Sequence, residues 1–173
     1  MGLERLASVS QQVLSNYDTD LFVPIHGLLR KITGHDTTSF EKQRFSYQVI
    51  ADHARAVTFL LADGVRPGNE GRGYVLRRII RRAVRHGRLL GIERSFLPEV
   101  ARAVIGIMSE AYPYLRESEG IIVDSLEREE AQFARTLDGG STLLAAALAP
   151  LAKGVTTVGV RPDQLPDGAP RLD

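Results

Sequence analysis

The sequence predicts an all-α protein, an irregular helical domain rather than a regular four-helix bundle. Apolar residues recur at three- and four-residue spacing along most of the chain, strand-like alternation is almost absent, and glycine or proline separates the periodic segments. With 173 residues, 43% of them hydrophobic, the chain can bury a substantial core. The periodic segments differ in length, which disfavours a regular bundle and favours helices packed by ridges and grooves.

The first two helices are predicted before residue 35. "GLERLASVSQQVL" carries Leu3, Leu6, Val9 and Val13 on one helical face. A second helix is expected in "DLFVPIHGLLRKITG", with Asp18 or Thr19 accepting its first free amides. Gly34 is placed to end this helix, and Pro24 is expected to kink or shorten it.

Three further helices are predicted in the middle of the chain. "RFSYQVIADHARAVTFLLADG" is the third, ended by Gly64. The turn-forming "VRPGN" precedes the fourth, with Asn69 as a plausible N-cap and Glu70 near its positive end. Pro98 suits the first turn of a fifth helix over residues 99–111.

The C-terminal third begins with a long helical pattern over residues 115–148, which Gly139 and Gly140 are expected to interrupt. Residues 154–173 are rich in proline, glycine and aspartate and are predicted to be a linker or the edge of a next domain. The sequence contains no cysteine, no apolar run long enough for a membrane span and no signal sequence. A soluble, cytoplasmic protein is therefore expected.

Other polar residues point to structural roles. The four histidines lack metal-ligand spacing, so no metal site is predicted and each is interpreted as a surface or capping residue: His26, His35, His53 and His86. Asp52 and Arg55 are spaced for an i, i+3 ion pair within the third helix. Tyr74 is expected to pack at the start of the fourth helix, with stacking on a ribose as the alternative.

Charge is sorted by place along this chain, although its formal net charge is only +1. "EGRGYVLRRIIRRAVRHGR", residues 70–88, holds seven arginines, whereas residues 116–130 hold six acids against two arginines. Projected at 100° per residue, six of the arginines fall within about 140° of arc, opposite an apolar face. They are Arg77, Arg78, Arg81, Arg82, Arg85 and Arg88.

Six like charges on one helix face repel each other, and an external polyanion relieves that repulsion. The guanidinium fork also matches phosphate oxygens. The arrangement therefore favours binding of nucleic acid or nucleotide phosphate. Two alternatives stay open: pairing within the molecule to the acidic segment 117–130, and an ordinary solvated helix face.

A long segment, "RFSYQVIADHARAVTFLLADGVRPGNEGRGYVLRRIIRRAVRHGRLLG", resembles the signature region of alanyl-tRNA synthetases. "MGLERL" resembles the end of class II motif 3 in that family, "SNYDTDLF" is similar to the stretch that follows, and "EEAQFARTLDGG" resembles a later helix. The resemblance covers about residues 1–149. Gly68 stands where the family often has serine.

The resemblance implies three segments: residues 1–15 as the C-terminal remnant of the class II catalytic domain with its motif 3 helix, 16–153 as the helical domain that recognises the tRNA acceptor stem, and 154–173 as a linker or domain edge. The family uses ATP and magnesium to form alanyl-adenylate and esterify tRNA. Motifs 1 and 2 and the zinc-binding editing domain have no match here. This chain alone is therefore expected to be inactive and to bind no cofactor.

The resemblance also assigns roles to residues. Gly2 and Arg5 match the ATP-contacting part of motif 3, with Arg5 at the γ-phosphate. Asn69 matches the family's asparagine that reads a G·U wobble pair by accepting a hydrogen bond from the free guanine 2-amino group. The six arginines would hold phosphates. The expected partners are the acceptor stem of tRNA(Ala) and the remaining synthetase domains, without a membrane. The alternative is a non-catalytic helical module that binds another nucleic acid or an acidic protein.

Overall fold

A computed structural model describes residues 2–152, which contain helices and no strand. The all-α prediction is therefore confirmed, while the predicted linker at 154–173 lies outside the described residues. The helices of the described chain are α1 (Leu3–Ser10), a 3₁₀ turn (Asn16–Asp18), α2 (Val23–Thr33), α3 (Thr37–Lys42), α4 (Arg44–Ala62), α5 (Gly71–Leu89), α6 (Leu97–Met108), α7 (Tyr114–Glu117) and α8 (Glu119–Ala152).

The chain divides into two compact units, Met1–Phe133 and a second that begins at Ala134. The first unit holds the hydrophobic core, in which α4 packs along α5 and α6, and α2 packs on α4 and α6. The apolar faces of these helices, of α7 and of the start of α8 supply the largest fully buried aliphatic side chains, which are Ile25, Leu29, Ile50, Leu61, Leu76, Ile80, Leu97, Leu115 and Ile122.

Helix α5 carries the arginine face and is amphipathic as predicted. Leu76, Ile80 and Val84 are buried in the core on the face opposite the arginines. The predicted N-cap at Asn69 is wrong: the helix begins at Gly71, so Glu70 occupies the N-cap position, and its side chain makes no capping hydrogen bond. Asn69 therefore lies outside the helix, in the preceding loop.

Two glycines of α5 allow other segments to approach its backbone closely. A Cβ atom at Gly73 would lie 2.5 Å from the carbonyl oxygen of Arg66, and the Gly68 amide donates to the Gly73 carbonyl at 3.0 Å. A Cβ atom at Gly87 would lie 2.3 Å from the buried ring of Phe96. The absence of a side chain at Gly73 thus lets the loop before α5 pack against the helix, and the absence of one at Gly87 does the same for the segment that follows α5.

Several predicted boundaries are corrected by the structure. Helix α2 starts at Val23, so Pro24 lies in its first turn, where the missing amide costs nothing, and neither Asp18 nor Thr19 caps it. Gly34 ends α2 at φ 70°, as predicted. Helix α6 begins at Leu97, two residues earlier than expected, and α8 continues through its glycine pair.

Helix α3 was missed by the sequence analysis. Asp36 caps it, accepting a hydrogen bond from the Ser39 amide at 2.8 Å. The cap lowers the pKa of Asp36, chiefly through that backbone hydrogen bond. With six residues the helix is too short for a clear apolar period, and its signal was the aspartate followed by two threonines.

Candidate nucleic-acid interface

The arginine face of α5 consists of two parts with different environments. Arg77 and Arg81 are only 18% and 29% exposed, and both donate through Nε to the carboxylate of Glu129 on α8. The distances are 3.2 Å from Arg77 to Oε2 and 2.9 Å from Arg81 to Oε1. The Arg81 guanidinium also lies over the Phe133 ring, 5.2 Å from its centroid. We call these two residues the paired arginines.

The other four residues of this face, which we call the open arginines, are exposed: Arg78, Arg82, Arg85 and Arg88. Arg78 lies 5.7 Å from the ring centroid of Tyr74. Among the residues that the structure describes, Arg82, Arg85 and Arg88 have no hydrogen-bond or salt-bridge partner. Pairing with the acidic segment therefore accounts for two arginines, and four guanidinium groups face solvent.

Asn69 lies beside the paired arginines. Its side chain is exposed, and its Oδ1 atom accepts a hydrogen bond from Nη1 of Arg77. An amide oxygen has two lone pairs, so one remains for an external donor. The structure thus brings together two of the residue types that the sequence analysis selected, an amide acceptor and a row of arginines.

The loop that carries Asn69 is anchored on both sides. Arg66 donates through Nη1 to the carbonyl oxygens of Leu61, at 2.9 Å, and Val65, at 3.2 Å. Gly68 donates to Gly73 at the start of α5. These bonds tie the loop to the end of α4 and to the first turn of α5, so the Asn69 backbone is held in place.

A groove of about 410 Å³ lies between α4 and the open side of α5. Val75 and Ile79 give it apolar walls, while His53, Arg78 and Arg82 are among its polar lining. Nearby, burial lowers the pKa of His86, and the positive charges of Arg82 and Arg85 lower it further. The arginines of this face, and not His86, therefore supply its positive charge at neutral pH.

The predicted ATP-contacting residues lie at α1, where Gly2 and Arg5 line a cavity of about 280 Å³. The Arg5 guanidinium is exposed and, among the described residues, has no hydrogen-bond or ion-pair partner, so its chemistry fits a phosphate oxygen. Glu4 and Asp52 line the same cavity and place negative charge beside it. These residues fit one phosphate contact and do not form a complete nucleotide site. Within residues 2–152, no cluster of three or more metal-ligating side chains occurs.

The predicted ion pair between Asp52 and Arg55 is not formed. Arg55 instead pairs with Glu4 on α1 and lies over the Phe22 ring, 4.6 Å from its centroid. Asp52 contacts Nδ1 of His53 at 3.1 Å, and this hydrogen bond is the main cause of its lowered pKa. Arg55 thereby links α1 to α4.

Glu129 is the site residue that the sequence analysis missed, although it named the acidic segment that contains it. The signal was present: Ile122, Leu126, Glu129 and Phe133 follow helical spacing, so this carboxylate occupies an apolar position of α8. A carboxylate on a buried face requires a partner, and the arginine helix is the obvious source of one.

The sequence of this chain is similar to that of known proteins over most of its length. Residues 1–161 match the family model described as tRNA synthetases class II (A). An alanine–tRNA ligase of Chloroflexus aurantiacus is 54% identical over 144 residues, which is 83% of this chain and 16% of the relative. Alanine–tRNA ligases of Acidithiobacillus ferridurans and a Nostoc species are 50% and 49% identical over 159 residues each, covering 92% and 91% of this chain and 18% of each relative. The chain therefore spans less than a fifth of the length of these relatives.

In the part of the chain that the structure describes, no helix has both the length and the apolar character that a membrane crossing requires. The longest, α8, carries charged residues throughout its first half.

Proposed function

Because the chain belongs to the class II tRNA synthetase (A) family, we propose that it recognises the acceptor stem of tRNA(Ala) for an alanine–tRNA ligase. The observation that carries this proposal is the arginine face of α5, on which the open arginines are exposed and Arg77 contacts the amide of Asn69. The names of the relatives support alanine as the amino acid and tRNA as the partner.

The chemistry of the face suits an RNA helix. A-form RNA presents phosphates, 2′-hydroxyls and base edges along a wide, shallow minor groove. Guanidinium groups of the open arginines would hold phosphates and set register, and such contacts carry no sequence information. Asn69 would supply that information, with its free lone pair accepting from the unpaired 2-amino group of guanine in a G·U pair.

The α1 residues support a second part of the proposal. Arg5 would contact a phosphate of ATP, and Gly2 would let the nucleotide lie close to the backbone. In the ligase, ATP with Mg²⁺ supplies the activation of alanine. We also propose that residues 1–15 belong to the catalytic domain and that 16–153 form the recognition domain, in a cytoplasmic enzyme whose other domains contact this chain.

A binding experiment with two RNA hairpins tests the proposal. The hairpins carry the same acceptor-stem sequence except for one pair, G·U or G·C, and binding to the chain is measured by fluorescence anisotropy over a salt series. We expect affinity to fall steeply with salt, and Arg85→Ala and Arg88→Ala each to lower the slope by about 1 at most for both hairpins alike. Arg102→Ala, which removes an exposed arginine from α6, is the control and should leave the slope unchanged.

The ratio of wild-type affinities for the G·U and G·C hairpins shows whether the chain reads a base. Asn69→Ala is expected to remove discrimination worth about 1 to 3 kcal/mol, while the arginine variants keep it. Equal binding of both hairpins by the wild-type chain, with a normal salt slope, would favour a module that binds nucleic acid without reading this pair. Absence of RNA binding, with capture of acidic peptides instead, would favour an acidic protein partner.

A further inference from the structure

Glu129 is a carboxylate in a position where α8 otherwise presents apolar side chains. Only 4% of it is exposed, and both of its oxygens accept from guanidinium groups of α5. Leaving such a group unpaired in the interior is costly, so Glu129 holds both paired arginines in fixed positions.

The geometry of these bonds has a consequence for Asn69. Arg77 uses Nε for Glu129 and Nη1 for the Oδ1 atom of Asn69. The guanidinium is planar and rigid, so fixing Nε also fixes the direction in which Nη1 points. A continuous series of hydrogen bonds therefore runs from the buried carboxylate, through one guanidinium, to the exposed amide.

We propose that Glu129 is a positioning residue for base reading, because it orients Arg77, which in turn orients the side-chain amide of Asn69. This inference rests on the proposed function, in which Asn69 accepts from a guanine amine. An amide turned over by 180° presents an NH₂ group in place of the oxygen, and a donor facing a donor cannot form that bond. The Arg77 hydrogen bond selects the orientation in which the amide oxygen has its second lone pair available.

The general attraction to RNA and the preference for the G·U hairpin respond differently to loss of the Glu129 charge. Glu129→Gln leaves all six arginines in place and raises the positive charge of the face by one unit, so attraction to any RNA does not fall. A glutamine at this position has one accepting oxygen for the two Nε donors of Arg77 and Arg81, and its NH₂ group cannot accept, so the fixed orientation of Arg77 and Asn69 is lost and discrimination between the hairpins falls. A role limited to stability would instead lower affinity for both hairpins through loss of folded protein.

The neighbouring residues provide matched controls. Glu127→Gln removes the same charge from an exposed position on the same helix. Glu130→Gln alters a second buried carboxylate, which accepts from the Ser95 hydroxyl and the backbone amides of Phe96 and Leu97 and interacts with the charge of Arg88 rather than with a paired arginine. Glu127→Gln measures the effect of the change in net charge alone. Glu130→Gln measures the effect of replacing a buried carboxylate of α8 without breaking the bonds to the paired arginines.

The experiment measures dissociation constants of this chain for the G·U and G·C hairpins, together with thermal melting of each variant. We expect the wild type to prefer the G·U hairpin by about fivefold or more. Glu129→Gln should bring that ratio to within about twofold of unity while binding the G·C hairpin as tightly as the wild type or more tightly. Both control variants should keep the wild-type ratio.

Arg77→Lys provides a second variant in case Glu129→Gln does not fold. It keeps the positive charge, but a lysine ammonium cannot replace the rigid guanidinium that joins Glu129 to Asn69, so the same loss of preference is expected. A folded Glu129→Gln or Arg77→Lys variant that retains the full preference would overturn the positioning role and leave the proposed function intact. A wild-type chain that binds both hairpins equally would overturn the proposed base reading, and the positioning role with it.

Discussion

The paired and open arginines of α5 differ in environment although they share one residue type and one helix face. Arg77 and Arg81 are largely covered and share one buried carboxylate. Arg82, Arg85 and Arg88 face solvent without an ion-pair partner among the described residues. The difference shows that a helical projection identifies a charged face but does not identify which charges are already neutralised. Only the position of Glu129 on the neighbouring helix separates structural from available guanidinium groups.

The largest expected effect comes from removing both paired arginines. Arg77→Ala combined with Arg81→Ala leaves Glu129 buried without a counter-charge, and we expect the free energy of unfolding to fall by about 3 to 5 kcal/mol. The matched double variant, Arg82→Ala with Arg85→Ala, removes two exposed charges and should change stability by about 0.5 kcal/mol or less per residue. Urea unfolding measures both. Equal losses in the two variants would show that the distinction between paired and open arginines is wrong.

A second test disturbs the loop beside the paired arginines without changing any charge. The new Cβ of Gly73→Ala would meet backbone atoms of the loop before α5, which cannot move aside as a side chain can. We expect a loss of about 1 to 3 kcal/mol in stability. Because this loop carries Asn69, the G·U preference should fall, while the salt dependence that reflects the open arginines should stay.

Gly106→Ala is the control for this substitution. Gly106 lies in α6, and a Cβ there meets nothing within 4 Å. Alanine is favoured over glycine within a helix by about 0.5 to 1 kcal/mol, so this variant should be slightly more stable than the wild type. If Gly73→Ala behaved in the same way, the close packing of the loop on α5 would be contradicted.

A third test concerns His26, which the core keeps uncharged, in contrast to the open arginines. The surface or capping role predicted for His26 is wrong, because the residue is 6% exposed and its Nε2 has no hydrogen-bond partner. Burial is the largest cause that lowers its pKa from 6.5 to about 4, and the positive charge of Arg44 lowers it further. The unfolded chain therefore takes up a proton at a higher pH than the folded one, and stability is lost as the pH falls from about 6.5 towards 4.

The size of that loss follows from the two pKa values. Between pH 7 and pH 5 the contribution of His26 to the free energy of unfolding should fall by about 2 kcal/mol. His26→Leu fills a similar volume without a titrating group, so its stability should depend less on pH by this amount. Chemical unfolding at both pH values measures the difference. Parallel pH profiles for the two proteins would show that His26 has the same pKa in the folded and unfolded states, which would contradict the effect of burial.

The sequence was sufficient for features set by local periodicity. The helix class, the apolar and charged faces of α5 and the stop at Gly34 depend on residues within a few turns of each other. The pairing of Arg77 with Glu129 joins residues 52 positions apart, and that of Arg55 with Glu4 joins residues 51 apart, so local spacing contains no information about either. The i, i+3 spacing predicted Asp52 as the ion-pair partner of Arg55, whereas in the fold Arg55 pairs with Glu4.

The same limit explains the interpretation of Asn69. A polar residue at the start of an arginine helix is a common N-cap, and the sequence alone favoured that role. The positive φ of 55° at Gly71 turns the chain one residue later, so the helix starts beyond the reach of the Asn69 side chain. Glycine adopts a positive φ readily, and this backbone conformation at Gly71 prevents Asn69 from acting as the N-cap of α5.

The smallest expected effect is that of Asn69→Ala on stability. Because its amide makes no capping bond and its contact with Arg77 is exposed, we expect a change of about 0.5 kcal/mol or less, measured by thermal melting. Asp36→Ala removes a real cap, the bond from the Ser39 amide, and should lower the melting temperature more than Asn69→Ala does. Asn69→Ala should nevertheless abolish the G·U preference, because the amide oxygen is the proposed acceptor. A loss of stability as large as that of Asp36→Ala would restore the capping role, and Asn69 would then act on RNA only through the start of α5.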